Sequence, residues 1–544
     1  MEFKKINGHD FYNMVVNASN RLLEQSDFVN ALNVFPVPDG DTGTNMSMTF
    51  KAAVKEIENV SSNSIGEMSK KLAKGALMGA RGNSGVILSQ ILRGISKGLE
   101  GKEEVDATEF AIGFYEGSNA AYKAVMRPTE GTILSVIRAA SEAAVASDAE
   151  DIISLMEEIN KEAKIMLDRT PELLPALKKA KVVDSGGMGL YIILKGMLEA
   201  LKDGIQAEIQ DIKIGLADTK VGAQSTEEVD IKFGYCTEFI ILGDSKKSNE
   251  FRDKIEPLGD SMIVVGYEDV IKVHIHTNDP GLVLSHAVAV GELSKIKIDN
   301  MREEHRELLS DLDSTENIEE ASEVEHKKYA FITVAMGDGI VKIFKDSGVD
   351  YVIEGGQTMN PSTQDILDCI EKISADHIFI MPNNKNIIMA ANQASEISDK
   401  NIIVIPTTTI PQGIACVTMF NPESEVDQNV EELNDVINSV KTGSVTYAVR
   451  DTEIDGIEIK EGNMLGLVEG KIKHVGEDTI SVTKKVLQDM LDDESELVTI
   501  YYGEEMEEDK VNEFVSELEN EYQDLDIQCY KGNQPLYYFL MSVE

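Results

Sequence analysis

The sequence predicts a multidomain protein with an all-helical N-terminal domain, an α+β middle domain and an α/β C-terminal domain. Apolar residues recur at helical spacing through residues 1–202, strand-like runs follow in residues 203–310, and strands alternate with helices in residues 327–544. The acidic, serine- and glutamate-rich run 311–326 is typical of a linker. The length of 544 residues also exceeds what one hydrophobic core usually supports.

The composition restricts the partners of this chain. With 51 Lys and Arg against 96 Asp and Glu, the formal net charge is -45. Such a charge repels phosphate backbones and anionic lipid surfaces, so we expect no nucleic-acid partner. No apolar run is long enough to span a membrane, and the N-terminus lacks the apolar core of a signal peptide. The 4 cysteines are scattered and never form a CxxC motif, which favours reduced thiols and a cytoplasmic location.

The stretch 33–46 carries the main candidate site of the helical domain. Asp39 and Asp41 are separated by one glycine at the start of a predicted helix, after a proline-rich arm at 34–38 that is expected to be rigid and extended. Thr44 suits the N-cap of that helix, which would leave backbone N–H groups facing the aspartates. Mg²⁺ prefers one or two carboxylates with phosphate oxygens, so the pattern favours a metal-bound nucleotide. A solvated Asp-Gly turn is the alternative.

Glycine-rich loops precede further helices in the same domain. They are residues 78–85, 127–132 and 183–189. Each offers backbone N–H groups at a helix start, and the glycines allow a ligand to approach the backbone closely. The loops therefore predict one shared anionic pocket, with plain helix connectors as the alternative.

Two histidines mark the middle domain. His274 and His276 alternate on one face of the predicted strand 269–277, and Cys236 lies on a neighbouring strand. A His-x-His pair with a cysteine suits Zn²⁺, whose fourth ligand would be Glu238 or water. A half-exposed strand whose histidines serve packing or a surface network is the alternative.

Polar loops follow the strands of the C-terminal domain. They are residues 355–362, 382–386 and 406–413. Parallel α/β sheets bind ligands at the carboxyl ends of their strands, so these loops are candidates for a ligand site.

Several of these motifs together resemble known kinases. They are PVPDGDTGTNM at 36–46, GARGNSG at 79–85, VDSGG at 183–187, Cys236 with HIH at 274–276, and GGQTMNPST at 355–363. The N-terminal part resembles the nucleotide-binding L domain (DhaL or DAK2) of dihydroxyacetone kinases, and the order of domains is similar to the bacterial fatty acid kinases of the FakA type. The resemblance implies a DhaL-like helical barrel and a DegV-like C-terminal domain that binds a partner.

The resemblance also implies cofactors and site residues. ATP and Mg²⁺ would be the cofactors, with Asp39 and Asp41 as the Mg²⁺ ligands and catalytic carboxylates. Arg81 is a candidate for stabilising charge in the transition state, or else a surface arginine that caps a loop. Residues expected to hold the nucleotide are Asn33, Thr44, Asn45, Gly82, Asn83, Ser84, Thr132, Asp184 and Gly187. Asn33 is the nearest counterpart of a third family aspartate. Cys236, His274 and His276 match a structural Zn²⁺ site.

The implied reaction is ATP-dependent phosphorylation of a fatty acid presented by a separate FakB-type protein of the DegV family, giving acyl-phosphate for phospholipid synthesis. The resemblance also implies a homodimer. A fatty acid carboxylate is ionised at neutral pH and needs no general base, which fits a helical domain whose only histidine is His9. Two alternatives remain. They are a kinase for a small hydroxylated substrate such as dihydroxyacetone, and a non-catalytic regulator that senses nucleotide or lipid.

Overall fold

The structure is a computed structural model of the chain. It describes residues 3–33, 40–60, 62–125, 127–209, 235–243, 247–267, 270–300, 326–356, 359–454 and 456–544. The chain divides into two compact units, one of residues 1–215 with 326–544 and the other of residues 216–325. Asp39, the proline-rich arm 34–38 and the predicted linker up to residue 325 lie outside the described residues. None of the helices in the described part has the length and apolarity needed to cross a membrane.

The N-terminal region is helical, as predicted. Capping boxes begin two of its helices, with Asn7 and Asp10 at the start of α1 and Asp106 and Glu109 at the start of α6. The described helices are α1 (Gly8–Glu24), α2 (Ser26–Ala31), α3 (Thr42–Ile57), α4 (Ile65–Met78), α5 (Gly82–Gly98), α6 (Ala107–Ala124), α7 (Ile133–Ala146), α8 (Ile152–Leu173), α9 (Pro175–Ala180) and α10 (Ser185–Asp203). A short antiparallel pair, β1 (Lys5–Asn7) and β2 (Glu104–Asp106), was not indicated by the helical spacing.

One apolar core holds these helices together. Phe11, Phe50 and Phe110 are each at most 1% exposed and pack with apolar residues of α1, α3 to α8 and α10. Burying one such side chain contributes roughly 1.5–3 kcal/mol. The N-terminal ends of α3, α5, α7 and α10 are therefore mounted on a rigid frame.

The unit of residues 216–325 contains an antiparallel sheet with helices against its apolar face. Its strands lie in the order β4-β5-β3-β6, and Phe239, Ile241 and Val273 are buried beneath α11 and α12. The described elements are β3 (Tyr235–Leu242), α11 (Ser248–Ile255), a 3-10 turn (Glu256–Leu258), β4 (Gly259–Tyr267), β5 (Val270–Thr277), α12 (Pro280–Val288) and β6 (Glu292–Asn300). This is an α+β arrangement, as predicted.

The C-terminal region contains a parallel sheet followed by a mixed sheet. The parallel sheet has the order β10-β9-β7-β8, which confirms the βαβ units predicted from the alternation of strands and helices. Its elements are β7 (Lys327–Ala335), α13 (Asp338–Asp346), β8 (Tyr351–Glu354), α14 (Thr363–Glu371), β9 (Ala375–Met381), α15 (Ile388–Ile397), β10 (Ile402–Val404), α16 (Ile410–Met419) and α17 (Val426–Ser439).

The mixed sheet forms the tail of this region. Its order is β15-β14-β11-β18-β16-β17, with a separate hairpin of β12 and β13. Neighbouring strands are antiparallel except β16 and β17, which are parallel. The elements are β11 (Lys441–Tyr447), β12 (Thr452–Ile454), β13 (Ile457–Ile459), β14 (Met464–Val468), β15 (Lys471–Gly476), α18 (Thr479–Met490), β16 (Leu497–Tyr502), α19 (Glu508–Glu521), β17 (Asp526–Lys531) and β18 (Phe539–Val543).

The helical and C-terminal regions meet along a seam where the α4–α5 junction contacts α14 and α15. Ala80 and Val86 are buried among apolar residues of the parallel sheet and its helices. Thr363 N donates to Ala80 O at 3.1 Å. Gln393 Nε2 donates to the carbonyl of Leu77 at 2.7 Å. The seam therefore places the loop before α14 next to the start of α5.

Candidate functional site

Asp41 and an unforeseen asparagine organise the start of α3. The helix begins at Thr42 with Asp41 at the N-cap position, so the prediction of Thr44 as N-cap is wrong. Asn30 of α2 takes over the capping. Its Oδ1 accepts from Gly43 N at 2.7 Å and Thr44 N at 3.2 Å, and its Nδ2 donates to Thr44 Oγ1 at 3.0 Å. Two of the amides expected to face the aspartates are therefore already engaged.

The residues beside Asp41 lie where the sequence indicates. Asp41 is 8% exposed. Asn33 lies against Gly40, since a Cβ built on Gly40 would be 3.6 Å from Asn33 Cβ. This places Asn33 near the two-aspartate motif, and its contribution to a metal or nucleotide stays a prediction.

The start of α5 packs tightly against α3. Gly82 has φ +58°, and a Cβ added there would lie 2.4 Å from the Nδ2 of Asn45, which is buried. Thr49 Oγ1 accepts from Arg81 N at 3.2 Å and donates to the carbonyl of Asn45 at 2.7 Å. Because no side chain of the described residues caps α5, its first-turn amides, next to Asn83 and Ser84, are available to an anion.

The starts of α7 and α10 meet at Asp184. This residue caps α10, and its Oδ2 accepts from Gly187 N at 2.7 Å. Burial raises the pKa of Asp184 to about 6, against the opposing effect of hydrogen bonds from the amides of Gly187 and Ile133. Thr132 caps α7 and donates to the carbonyl of Thr129 at 2.7 Å. Both residues thus have clear roles at helix starts.

The four predicted loop-to-helix junctions come together. Ser185 Oγ donates to Thr42 Oγ1 at 3.4 Å, which joins α10 to α3. The amide of Ile133 joins α7 to α10 through Asp184, and Gly82 joins α5 to α3 through Asn45. Four helix N-termini in one place form a positive environment that suits an anion such as a polyphosphate.

Residues of the C-terminal region also lie in this site, which the sequence did not predict. Asn360, in the loop before α14, donates from Nδ2 to Asp41 Oδ2. Arg81 Nη1 donates to the carbonyl of Asn360 at 2.9 Å, and its Nη2 pairs with Asp365 Oδ2 at 3.2 Å. Asn83 Nδ2 donates to Asn386 Oδ1 at 3.3 Å. The role of Arg81 in the transition state stays a prediction, because its guanidinium is held here by the C-terminal region.

Two amide oxygens at the seam are buried without a hydrogen-bond partner among the described residues, Oδ1 of Asn83 and Oδ1 of Asn360. An unpaired buried acceptor costs roughly 1–3 kcal/mol. A cation or a donor between the two regions would satisfy them. Asp41 and these amide oxygens are the hard donors that Mg²⁺ prefers, so the residues fit the ion that the family implies.

The predicted zinc residues are adjacent in the sheet register. On β3 and β5, Cys236 is paired with His276 and Glu238 with His274, while Asp260 of β4 is also opposite His276. Because the alternate positions of these strands form the buried core, these residues occupy positions on the other face. Their side chains are outside the described set, in which no cluster of metal-ligating residues occurs. The zinc site therefore stays a prediction.

This prediction has a direct measurement. We expect purified protein to contain about one zinc per chain, and His274→Ala to lose it, because a tetrahedral site rarely survives the loss of a protein ligand. Elemental analysis by mass spectrometry gives the metal content. His286→Ala, on α12 of the same unit, is the matched control and should keep its zinc. Zinc-free wild-type protein would contradict the site.

The C-terminal region encloses a separate cavity of about 470 Å³. The three polar loops predicted as ligand-binding all contribute to its wall, with Gly355 and Gly356 from the first, Asn383 from the second and Thr408 from the third. The mixed sheet closes the other side. The carboxyl ends of the parallel strands therefore border both this cavity and the seam.

Comparison with known families matches most of the chain. Residues 36–199 match the DAK2 domain family. Residues 232–308 match the middle domain of the FakA-like family of fatty acid kinases, and residues 330–544 match the C-terminal domain of the same family.

The chain is similar to bacterial proteins over its full length. It is 43% identical over 557 residues to Protein YloV of Bacillus subtilis (strain 168), covering 100% of both chains. It is 44% identical over 553 residues to an uncharacterized protein of Staphylococcus aureus (strain USA300), covering 99% of this chain and 100% of that protein. The solved structure of DegV, a fatty acid binding protein from Bacillus subtilis, aligns with 40% of this chain and 98% of its own, at 12% identity and a TM-score of 0.31.

Proposed function

Because the chain belongs to the FakA-like family of fatty acid kinases and carries a DAK2 domain, we propose that it is an ATP-dependent fatty acid kinase. It transfers the γ-phosphate of ATP to the carboxylate of a fatty acid that a separate FakB-type protein presents, and the product is an acyl-phosphate. The observation that carries this proposal is the convergence of four helix starts beside the buried Asp41.

The residues divide the work between nucleotide and metal. The uncapped start of α5, with Asn83 and Ser84, binds phosphate oxygens through backbone N–H groups. Asp41, with Asp39, would hold Mg²⁺. When bound, this ion neutralises charge on the phosphates and on the transferred group. Gly82 leaves room for close approach of the nucleotide to the backbone.

The acceptor needs no general base in this reaction. A carboxylate is already ionised at neutral pH, so the protein must only position it in line with the phosphoryl group and keep water away. His9, the only histidine before residue 274, contacts Gln206 rather than the site residues. The scarcity of bases supports a carboxylate acceptor over a hydroxyl acceptor.

The function is tested by product formation. Purified protein is incubated with ATP, Mg²⁺ and a fatty acid, with and without a fatty-acid-binding protein of the DegV family, and acyl-phosphate is trapped with hydroxylamine. We expect product only in the presence of the carrier. Product from dihydroxyacetone instead, or nucleotide binding without any transfer, would contradict the proposal.

The raised pKa of Asp184 predicts a pH-dependent stability. A carboxyl group whose pKa is about 6 when folded, against an ordinary value of 3.8, keeps its proton longer in the folded state, so the free energy of unfolding falls as pH rises through 6. Asp184→Asn keeps the N-cap but has no ionisation. We expect its stability relative to wild type to increase by roughly 1 kcal/mol between pH 5 and pH 8.

Thermal unfolding followed by circular dichroism at several pH values measures this difference. Asp151→Asn, at the N-cap of α8, is the control. The pKa of the Asp151 carboxyl is lowered by hydrogen bonds from Ser154, so this variant should not gain stability with pH. A constant difference between Asp184→Asn and wild type across the range would mean that Asp184 titrates normally.

A further inference from the structure

Asn360 occupies an unusual position for a residue of the C-terminal region. Its side chain is 1% exposed and donates a hydrogen bond to Asp41, while its carbonyl accepts one from Arg81. Its Nδ2 also lies 3.5 Å from where a Cβ on Gly82 would be. Asn360 therefore contacts the centre of the proposed kinase site from across the seam.

The loop that carries Asn360 is anchored firmly. Ser362 and Asp365 form a capping box at the start of α14, and Asp365 also pairs with Arg81. The hydrogen bond from Thr363 to Ala80 fixes the loop one turn away from Asn360. These contacts hold Asn360 at the site as a built part of it.

The amide of Asn360 is only half satisfied. Nδ2 is bonded to Asp41, whereas Oδ1 is buried without a hydrogen-bond partner among the described residues. A half-turn of the amide group exchanges the positions of these two atoms. The oxygen would then face the site beside the Asp41 carboxylate, an arrangement that is repulsive alone and favourable with a cation between the two oxygens.

We propose that Asn360 is a positioning residue of the kinase site, supplied by the C-terminal region. Without metal it holds the Asp41 carboxylate through Nδ2, and with metal it turns Oδ1 toward the same divalent cation. The proposal rests on the proposed function for the presence of a metal-bound nucleotide. It also means that the helical region alone has an incomplete cation site.

Cation binding tests this assignment without requiring turnover. The affinity of the full-length chain for Mn²⁺ is measured by electron paramagnetic resonance with a non-hydrolysable ATP analogue. We expect Asn360→Ala to weaken Mn²⁺ binding about tenfold, as for the loss of one outer-sphere or weak metal contact. Asn360→Asp keeps an oxygen and should restore most of the affinity. Half-maximal activity of Asn360→Ala should require correspondingly more Mg²⁺.

Gln393→Ala is the matched control. Gln393 is also a buried amide at the seam, but it donates to the carbonyl of Leu77 and does not contact Asp41. Its Mn²⁺ affinity should stay within about twofold of wild type, below the tenfold effect of losing an outer-sphere contact. Equal losses in Asn360→Ala and Gln393→Ala would show that Asn360 only serves docking. Higher activity of Asn360→Ala would show that the loop blocks the site. Either result overturns the proposal.

The two proposals fail separately in this design. If wild-type protein forms no acyl-phosphate but its Mn²⁺ affinity depends on Asn360, the function is wrong and the assignment of Asn360 stands. If acyl-phosphate forms and Mn²⁺ binding is unchanged in Asn360→Ala, the function stands and the assignment is wrong.

Discussion

Asp41→Asn is expected to lower the rate of acyl-phosphate formation roughly 10³-fold, the scale of losing a preorganised charge in a phosphoryl-transfer site. Asp41 is buried where the starts of α3 and α5 meet, and it contacts Asn360. Asparagine has nearly the same shape but no charge. The change therefore removes the carboxylate needed for the cation and leaves the packing intact.

The measurement is the initial rate with saturating ATP, fatty acid and carrier. Asp151→Asn is again a suitable control, since it makes the same substitution at a helix N-cap away from the site. We expect a normal rate for this control and an unchanged circular dichroism spectrum for both variants. A rate within tenfold of wild type for Asp41→Asn would remove Asp41 from the centre of the site.

Local sequence patterns were sufficient to find the loops of the site. Glycine-rich runs before apolar periodic segments predict helix starts, and the structure has α5, α7 and α10 beginning at such runs. The same rule failed at Thr44, because it considers only capping by neighbours in sequence. The residue that caps α3 is Asn30, on the preceding helix. Its role depends on how α2 packs, which periodicity does not encode.

The contribution of the C-terminal region could not be predicted in the same way. Asn360 is 319 residues from Asp41 in sequence, and the two meet because Ala80 and Val86 are buried in a core shared with the parallel sheet. The sequence did indicate that loop 355–362 follows a strand and suits a ligand. It gave no sign that this loop borders both a cavity and the kinase site, since that depends on docking between regions.

Gly82→Ala is expected to raise the concentration of ATP needed for half-maximal activity about tenfold to a hundredfold. Gly82 has φ +58°, a conformation that costs other residues roughly 1–2 kcal/mol. A methyl group would also lie 2.4 Å from Nδ2 of Asn45, which is 5% exposed and has little room to move. The first turn of α5 must therefore shift, and its amides lose their alignment toward the phosphates.

Gly101→Ala separates the two causes. Gly101 has φ +73°, but a Cβ there would meet nothing within 4 Å. The backbone cost should be similar in both variants, so both should lower the thermal unfolding midpoint by a comparable amount. Only Gly82→Ala should lose ATP affinity, because only its Cβ disturbs the junction of α3 and α5. Equal ATP affinities in the two variants would mean that the start of α5 does not bind the nucleotide, and the phosphate would then have to lie at the starts of α7 and α10.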